Sequence, residues 1–211
     1  MNRYSWENVS IVIVVGVVFC GTALGGTYSG GTGTPETPYR IGSVNDWLEF
    51  IAAESDWDKH FEIIADIDFA GAALTPVAPS TIRVIVDGAV FNGTPFSGMV
   101  EGNGHSLSNA NLLLPDSDCV GLFGYCTGTI QNLTMQDISV SGDWYVGILA
   151  GRAGTVTNCN VQGSVSGSSF VGLLAGGSGS ISHCTSTGTV TVSNRVGGGL
   201  VGRSGGTVSE C

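Results

Sequence analysis

The sequence predicts an all-β solenoid, a parallel β-helix closed at its N-terminal end by a short helix. Three observations predict it. A segment opening on Val-Gly returns at Val120, Val146, Val171 and Val196, at spacings of 26, 25 and 25 residues. Glycine supplies 34 of the 211 residues, while only 11% are charged. Between the glycines, Val, Ile and Leu alternate with Ser and Thr, which suits many short strands joined by tight turns.

The chain is long enough for one domain with a sizeable core. Its hydrophobic content of 42% excludes an ordinary disordered chain. The net charge of −10 is uneven. Thirteen acids and three bases lie between Thr27 and Asp118, against three of each from Cys119 to Cys211. An acidic first part and a neutral repeat body argue against a nucleic-acid partner, which needs a basic footprint.

Four segments follow in order. Residues 1–25 read as a signal peptide: an apolar run over Ile11–Phe19, then small residues at Ala23 and Gly25. The run is short for a membrane span, which takes about 20 apolar residues; an uncleaved anchor is the alternative. A secreted or cell-surface protein is therefore expected, with no transmembrane helix once the leader is removed. Residues 26–42 form an extended, Gly/Thr/Pro-rich lead-in. Residues 43–118 hold the capping helix and the first, irregular coils. Residues 119–211 are the repeats proper, the last of them truncated at Cys211, so that the chain reads as a fragment.

The helix signal starts at Ser43, with Asp46 three residues on in a capping-box-like arrangement. Val44, Trp47, Leu48 and Ile51 then fall on one face. A stack of coils exposes the core of its first layer, so a helix here is expected as its cover rather than as a partner-binding element.

Each repeat carries the same columns. The Val-Gly strand runs to a glycine, at Gly124, Gly151, Gly176 and Gly202. Another glycine follows, then an apolar position at Ile130, Val156, Ile181 and Val208. Three residues later stand Leu133, Cys159, Cys184 and Cys211, preceded by Asn132, Asn158, His183 and Glu210. A weaker copy runs backward through Gly104 to Ala110 and puts Asn109 in the Asn column. The corner glycines are expected where φ is positive, and the asparagines where a bend lets them bond to the coils above and below. Leucine-rich repeats share this length, but the Thr/Ser/Val alternation of Gly188–Ser193 favours strand over a helical return arm.

At Gly121-Leu-Phe-Gly124 and Gly199-Leu-Val-Gly202, and at Gly154 to Cys159, the chain resembles the GLUG-motif repeat family. Ile148-Leu-Ala-Gly151 and Leu173-Leu-Ala-Gly176 depart from the motif at its first glycine. The resemblance spans residues 28–211 and implies a right-handed parallel β-helix of pectate-lyase-like kind. It also implies membership of large secreted or surface proteins, including some IgA-specific metallopeptidases and adhesin-like chains, in which the repeats are non-catalytic.

Candidate chemistry is sparse. Stacked Cys159, Cys184 and Cys211 fall within disulfide reach, at about 4.8 Å per coil, but buried free thiols are the simpler expectation. Cys119 and Cys126 bracket a strand and can clip a loop. Asp116, Asp118, Asp137 and Asp143 are weak Ca²⁺ candidates, and no other cofactor is indicated. Asp66 and Asp68 point outward from a strand. Arg152, Arg195 and Arg203 lie near repeat corners, and Trp144-Tyr145 either stacks a sugar or packs on a strand edge. His60, His105 and His183 stand in no catalytic motif, and no catalytic residue is assigned. Asn92 and Asn132 head formal glycosylation sequons. Two roles follow: a secreted or surface solenoid that is structural, adhesive or binding, without catalysis of its own, or a polysaccharide-active β-helix lyase or hydrolase, or a piece of a larger secreted enzyme such as a peptidase. The ligand expected for the first is extracellular, a carbohydrate or a surface protein.

Overall fold

The computed structural model describes residues 26–85 and 88–211; the leader expected over residues 1–25 lies outside them. The chain winds into a parallel β-solenoid of about six turns. Tyr39–Ile41, His60–Ile63, Met99–Glu101, Thr129–Gln131, Thr155–Thr157, Ile181–Ser182 and Val208–Ser209 stack as a seven-stranded sheet. Ile67–Ala73, Ser106–Leu113, Thr134–Ser141, Asn160–Gly167 and Thr185–Val192 form a five-stranded sheet. A four-stranded sheet (Phe123–Tyr125, Ala150–Ala153, Ala175–Ser178, Val201–Ser204) and a three-stranded one (Trp144–Val146, Ser169–Gly172, Gly197–Gly198) close each coil. One antiparallel hairpin, Thr81–Ile85 with Gly88–Asn92, projects from the early coils.

The apolar columns are in register. Val100, Ile130, Val156, Ile181 and Val208 pair in succession, all buried except Val208. Val120, Val146 and Val171 stack likewise, but the fourth member is Gly197 rather than Val196, which is 47% exposed. The fourth copy is thus one residue longer than its spelling suggests. The change of period from 26 to 25 also has a local cause. Asp137 occupies a bulge with φ 53°, and the next strand passes it with one residue fewer, Ile138 pairing with Gly163.

The weaker backward copy is corrected by the same registers. Val100, not Leu107, stands in the Ile130 column, and Leu107 pairs with Met135. Asn109 therefore leaves the Asn column. It sits beside Asp137 in the bulge, at φ 57°, where its Nδ2 donates to Asp68 (2.9 Å).

The helix spans Val44–Ala52. Ser43 is its N-cap, with Oγ accepting from the Asp46 amide (3.2 Å), and the Asp46 carboxylate accepts from Ser43 Oγ, the Gly42 amide and Ser29 Oγ. The buried face is Trp47 and Phe50, while Leu48 is 47% exposed, so the apolar stripe lies rotated from the expected one. Trp47 packs edge-on against Phe69 and Phe123, and Phe50 lies 4.2 Å from Phe61 and 5.6 Å from Phe96. This aromatic plug covers the bore of the first coil, as a cap must. The lead-in is more ordered than its composition suggests. Tyr39–Ile41 is the first strand of the seven-stranded sheet. Glu49 accepts from the amides of Thr27 and Tyr28, and Asp56 from Gly26 and the Tyr28 hydroxyl.

Candidate ligand-binding surface

Three sets of residues that the repeat aligns define what this molecule presents. The first is a row of residues with left-handed backbone, two of which, Tyr145 and Phe170, lie within strands of the three-stranded sheet. Ala78, Cys119, Tyr145 and Phe170 all adopt left-handed backbone, with φ between 52° and 58°. Against each packs the motif's second glycine from another strand. A Cβ on Gly124 would strike the Ala78 carbonyl, on Gly151 the Cys119 backbone, on Gly176 the Tyr145 and Val146 backbone, and on Gly202 that of Phe170 and Val171. None of these four glycines has positive φ. They are required by close backbone approach, which corrects the expectation that the corner itself needed glycine; the left-handed residues are the non-glycine neighbours. The copies at Ile148 and Leu173 also keep a first glycine, at Gly147 and Gly172, each with one additional residue before the second glycine.

The second set is the Asn column. Asn132, Asn158, His183 and Glu210 share left-handed φ of 51–58°, as expected for a bend. Their side chains form a ladder. Asn158 Nδ2 donates to Asn132 Oδ1 (2.8 Å), Asn132 Nδ2 donates to Glu101 (2.9 Å), and His183 Nε2 contacts Glu210. Burial pushes the Glu101 carboxyl up, but hydrogen bonds from Gln131, Asn103 and Asn132 outweigh it and hold it below the usual range. Beside this ladder run Cys159, Cys184 and Cys211, free and stacked. The Cys159 amide donates to Cys184 Sγ and the Cys184 amide to Cys211 Sγ, both at 3.4 Å. The Cys184 sulfur and burial push the Cys159 thiol up, while the contact with Cys159 draws Cys184 downward. Cys119 and Cys126 are free and buried rather than bridged, their thiols pushed up by burial to about 12 and about 11.

The third set lies at the surface, with Arg195 and Arg203 exposed and Arg152 and most of its aromatic rings half-buried. Tyr125, Arg152, Gly177 and Arg203 pair in succession across the four-stranded sheet. The Tyr145 ring turns back over Gly177, where a Cβ would meet it at 2.8 Å. Phe91 of the hairpin stacks on Tyr125 (5.0 Å) and meets Tyr145 edge-on (5.3 Å). Phe170 lies 4.8 Å from Tyr145, with the Arg203 guanidinium 5.6 Å over its ring. Arg195 covers Trp144 at 5.1 Å, and Trp144 packs on Phe170. Arg203 Nη1 donates to the Tyr145 hydroxyl (3.2 Å). Among the described residues none of these three arginines has a carboxylate partner. All the bases of the repeat body thus gather on one aromatic ledge, which the spacing did not reveal because 51 residues separate Arg152 from Arg203.

An open cleft of about 770 Å³ lies at the root of the hairpin, between Thr75–Thr81 and Leu114–Val120. Asp118 lines it and accepts from the Ile82 amide (3.1 Å); burial, aided by the Asp143 charge, pushes its carboxyl up. Asp116 is exposed in the same loop, while Asp137 stands in the bulge of the five-stranded sheet. Asp143, whose amide donates to the Ser117 carbonyl, comes near Asp118, but Asp137 stands apart, and no group of three or more His, Cys, Asp or Glu among the described residues is arranged to hold a metal. Asp66 and Asp68 are exposed, as expected for an outward face.

No protein-family model matches the chain. Halomucin of Haloquadratum walsbyi is 33% identical over 156 residues, which is 68% of this chain and 2% of that protein. A protein of Evansella cellulosilytica, provisionally described as a Gly-rich membrane protein, is 28% identical over 165 residues, or 73% of this chain and 18% of its own. The chain spans a small part of either relative. Among solved structures it resembles one from Bacteroides ovatus, provisionally described as an immunoglobulin A1 protease, with a TM-score of 0.67 over 87% of this chain and 67% of the other. At 19% identity that likeness is one of fold. No helix among the described residues is long and apolar enough to cross a membrane.

Proposed function

We propose that the chain is a solenoid segment of a secreted or cell-surface protein, exported by a leader within residues 1–25. Its role is structural and adhesive, with binding spread along the coils and no catalysis of its own. The observation that carries this reading is the disposition of charge. Four successive coils repeat the same glycine, Asn and apolar columns, while among the described residues no group of three or more acidic or metal-binding side chains gathers and no arginine of the ledge pairs with a carboxylate. A lyase or hydrolase site needs an acid and a base facing one reacting atom. The names of the two relatives, a mucin and a membrane protein, support display at a surface. The glycine packing against left-handed corners supports assignment to the GLUG type of repeat.

The likeness to the Bacteroides ovatus structure favours one variant of this reading, in which the solenoid is a non-catalytic module of a larger secreted protein. Two measurements test the proposal together. Protease shaving of intact cells should release the chain, and incubation with acidic polysaccharides, with and without Ca²⁺, should give no unsaturated product. Retention inside the cell, or clear product formation, would overturn it.

A further inference from the structure

We infer that the aromatic–arginine ledge of the four-stranded sheet is a binding site for a carboxylated polysaccharide. The inference rests on the adhesive reading above and names its ligand. A guanidinium offers five N–H donors, yet Arg152 reaches only the Ala153 carbonyl (3.3 Å) and Arg203 only the Tyr145 hydroxyl among the described residues. Most of their donors stay free for a carboxylate, which the planar fork can take in bidentate fashion. Neighbouring strands lie about 4.8 Å apart, and the Arg152 side chain runs past Gly177 toward Gly205, so its guanidinium comes close to the coil that carries Arg203. The intervening coil carries glycine and leaves room for the Tyr145 ring instead of a third side chain. Tyr145 is buried and serves as a spacer, whereas Phe91, Tyr125, Trp144 and Phe170 are only half-buried. Their partly open faces suit the apolar C–H faces of sugar rings.

The charge pattern selects among polyanions. A duplex carries one charge per about 1.7 Å and demands many cations, whereas this ledge holds three on a chain of net charge −10. A dense polyanion would be repelled by the rest of the molecule. A polymer with sparse carboxylates, one per disaccharide, fits the small number of arginines.

The test is calorimetric titration of the full chain with hyaluronan, which has one carboxylate per disaccharide, beside dextran sulfate, neutral dextran and a single-stranded dT oligonucleotide. Hyaluronan should bind, more weakly as salt rises. Arg152→Ala with Arg203→Ala should weaken it at least tenfold while the melting temperature holds, Trp144→Ala should also weaken it, and Arg40→Ala should leave it unchanged. Undiminished binding by the double variant, preference for dT or dextran sulfate, or no binding of hyaluronan would each overturn the inference. If hyaluronan is ignored while the chain still adheres to intact cells, the ledge assignment alone fails. If the chain neither reaches the surface nor adheres, the adhesive reading fails with it.

Discussion

Replacing Gly176 by alanine separates two reasons for a glycine in a solenoid. At Gly176 φ is not positive, but an added methyl would lie against the Val146 amide nitrogen and the Tyr145 carbonyl carbon and Cα. Those are backbone atoms of the neighbouring coil, held by ladder hydrogen bonds, and they cannot turn aside as a side chain does. Overpacking a rigid core costs about 1–3 kcal/mol, and a clash with three atoms of one fixed peptide belongs at the upper end, near 3 kcal/mol. Gly104 is the opposite case. Its φ is +78°, yet nothing lies within 4 Å of a Cβ built there. Gly104→Ala should therefore cost only the left-handed strain of about 1–2 kcal/mol. In a domain of this size each kcal/mol moves Tm by about 2–4 °C, so thermal unfolding followed by circular dichroism should show a fall of roughly 6–12 °C for Gly176→Ala. The fall for Gly104→Ala should be a third to two-thirds of that, about 2–8 °C. Equal shifts, or the larger one at Gly104, would refute the close-approach argument and restore the conformational one.

The other predictions concern the columns and the lead-in. Asn132→Ala removes the hydrogen bonds to Glu101 and Asn158 and places alanine at φ 58°, so urea unfolding should register a loss of about 2 kcal/mol; a loss below ~0.5 kcal/mol would show the ladder to be ornamental. Alkylation of the native chain at pH 8 should label Cys211 quickly and leave Cys119, Cys126, Cys159 and Cys184 for the denatured state, because only Cys211 is exposed; mass spectrometry finding a bridge between any of the five would contradict the free-thiol assignment. Burial pushes Asp46 up, but hydrogen bonds from Gly42, Ser29 and Ser43 outweigh it, and the Thr27 and Tyr28 amides hold Glu49 low. Both folded carboxyls lie below their unfolded values of about 4, so the stability they contribute is complete above that range and drains as pH falls through the lower folded values. Limited proteolysis should therefore cut near residues 26–42 at pH 3 and spare them at pH 7, and equal cutting at both would refute the carboxylate clamp.

Much of the architecture was legible in the sequence because a solenoid repeats its physics. The Ile130, Val156, Ile181 column and the Cys159, Cys184, Cys211 column follow directly from spacing, since one coil sets one row. What escaped was whatever breaks the period. The bulge at Asp137 changes the count by one residue, and a bulge has no spelling of its own; Asn109 falls in the wrong column when Leu107 is matched to Ile130, because only the registers show that it pairs with Met135. Leu48 and Phe50 were exchanged on the helix because a nine-residue helix offers only two turns to fix its phase. The glycines were recognised but given a conformational reason, because a close approach between coils shows only in three dimensions. The ledge escaped for the same reason. Arg152 and Arg203 are two periods apart in sequence, and only the pairing of both with Gly177 shows that they share a row.

The central claim is the stacking itself, and backbone nuclear Overhauser contacts test it most directly. Val156 should show contacts to Ile130 on one side and Ile181 on the other, residues 26 and 25 positions away, in parallel register. Contacts from Val156 to partners within about ten residues, in antiparallel register, would mean a meander of hairpins and would contradict the solenoid.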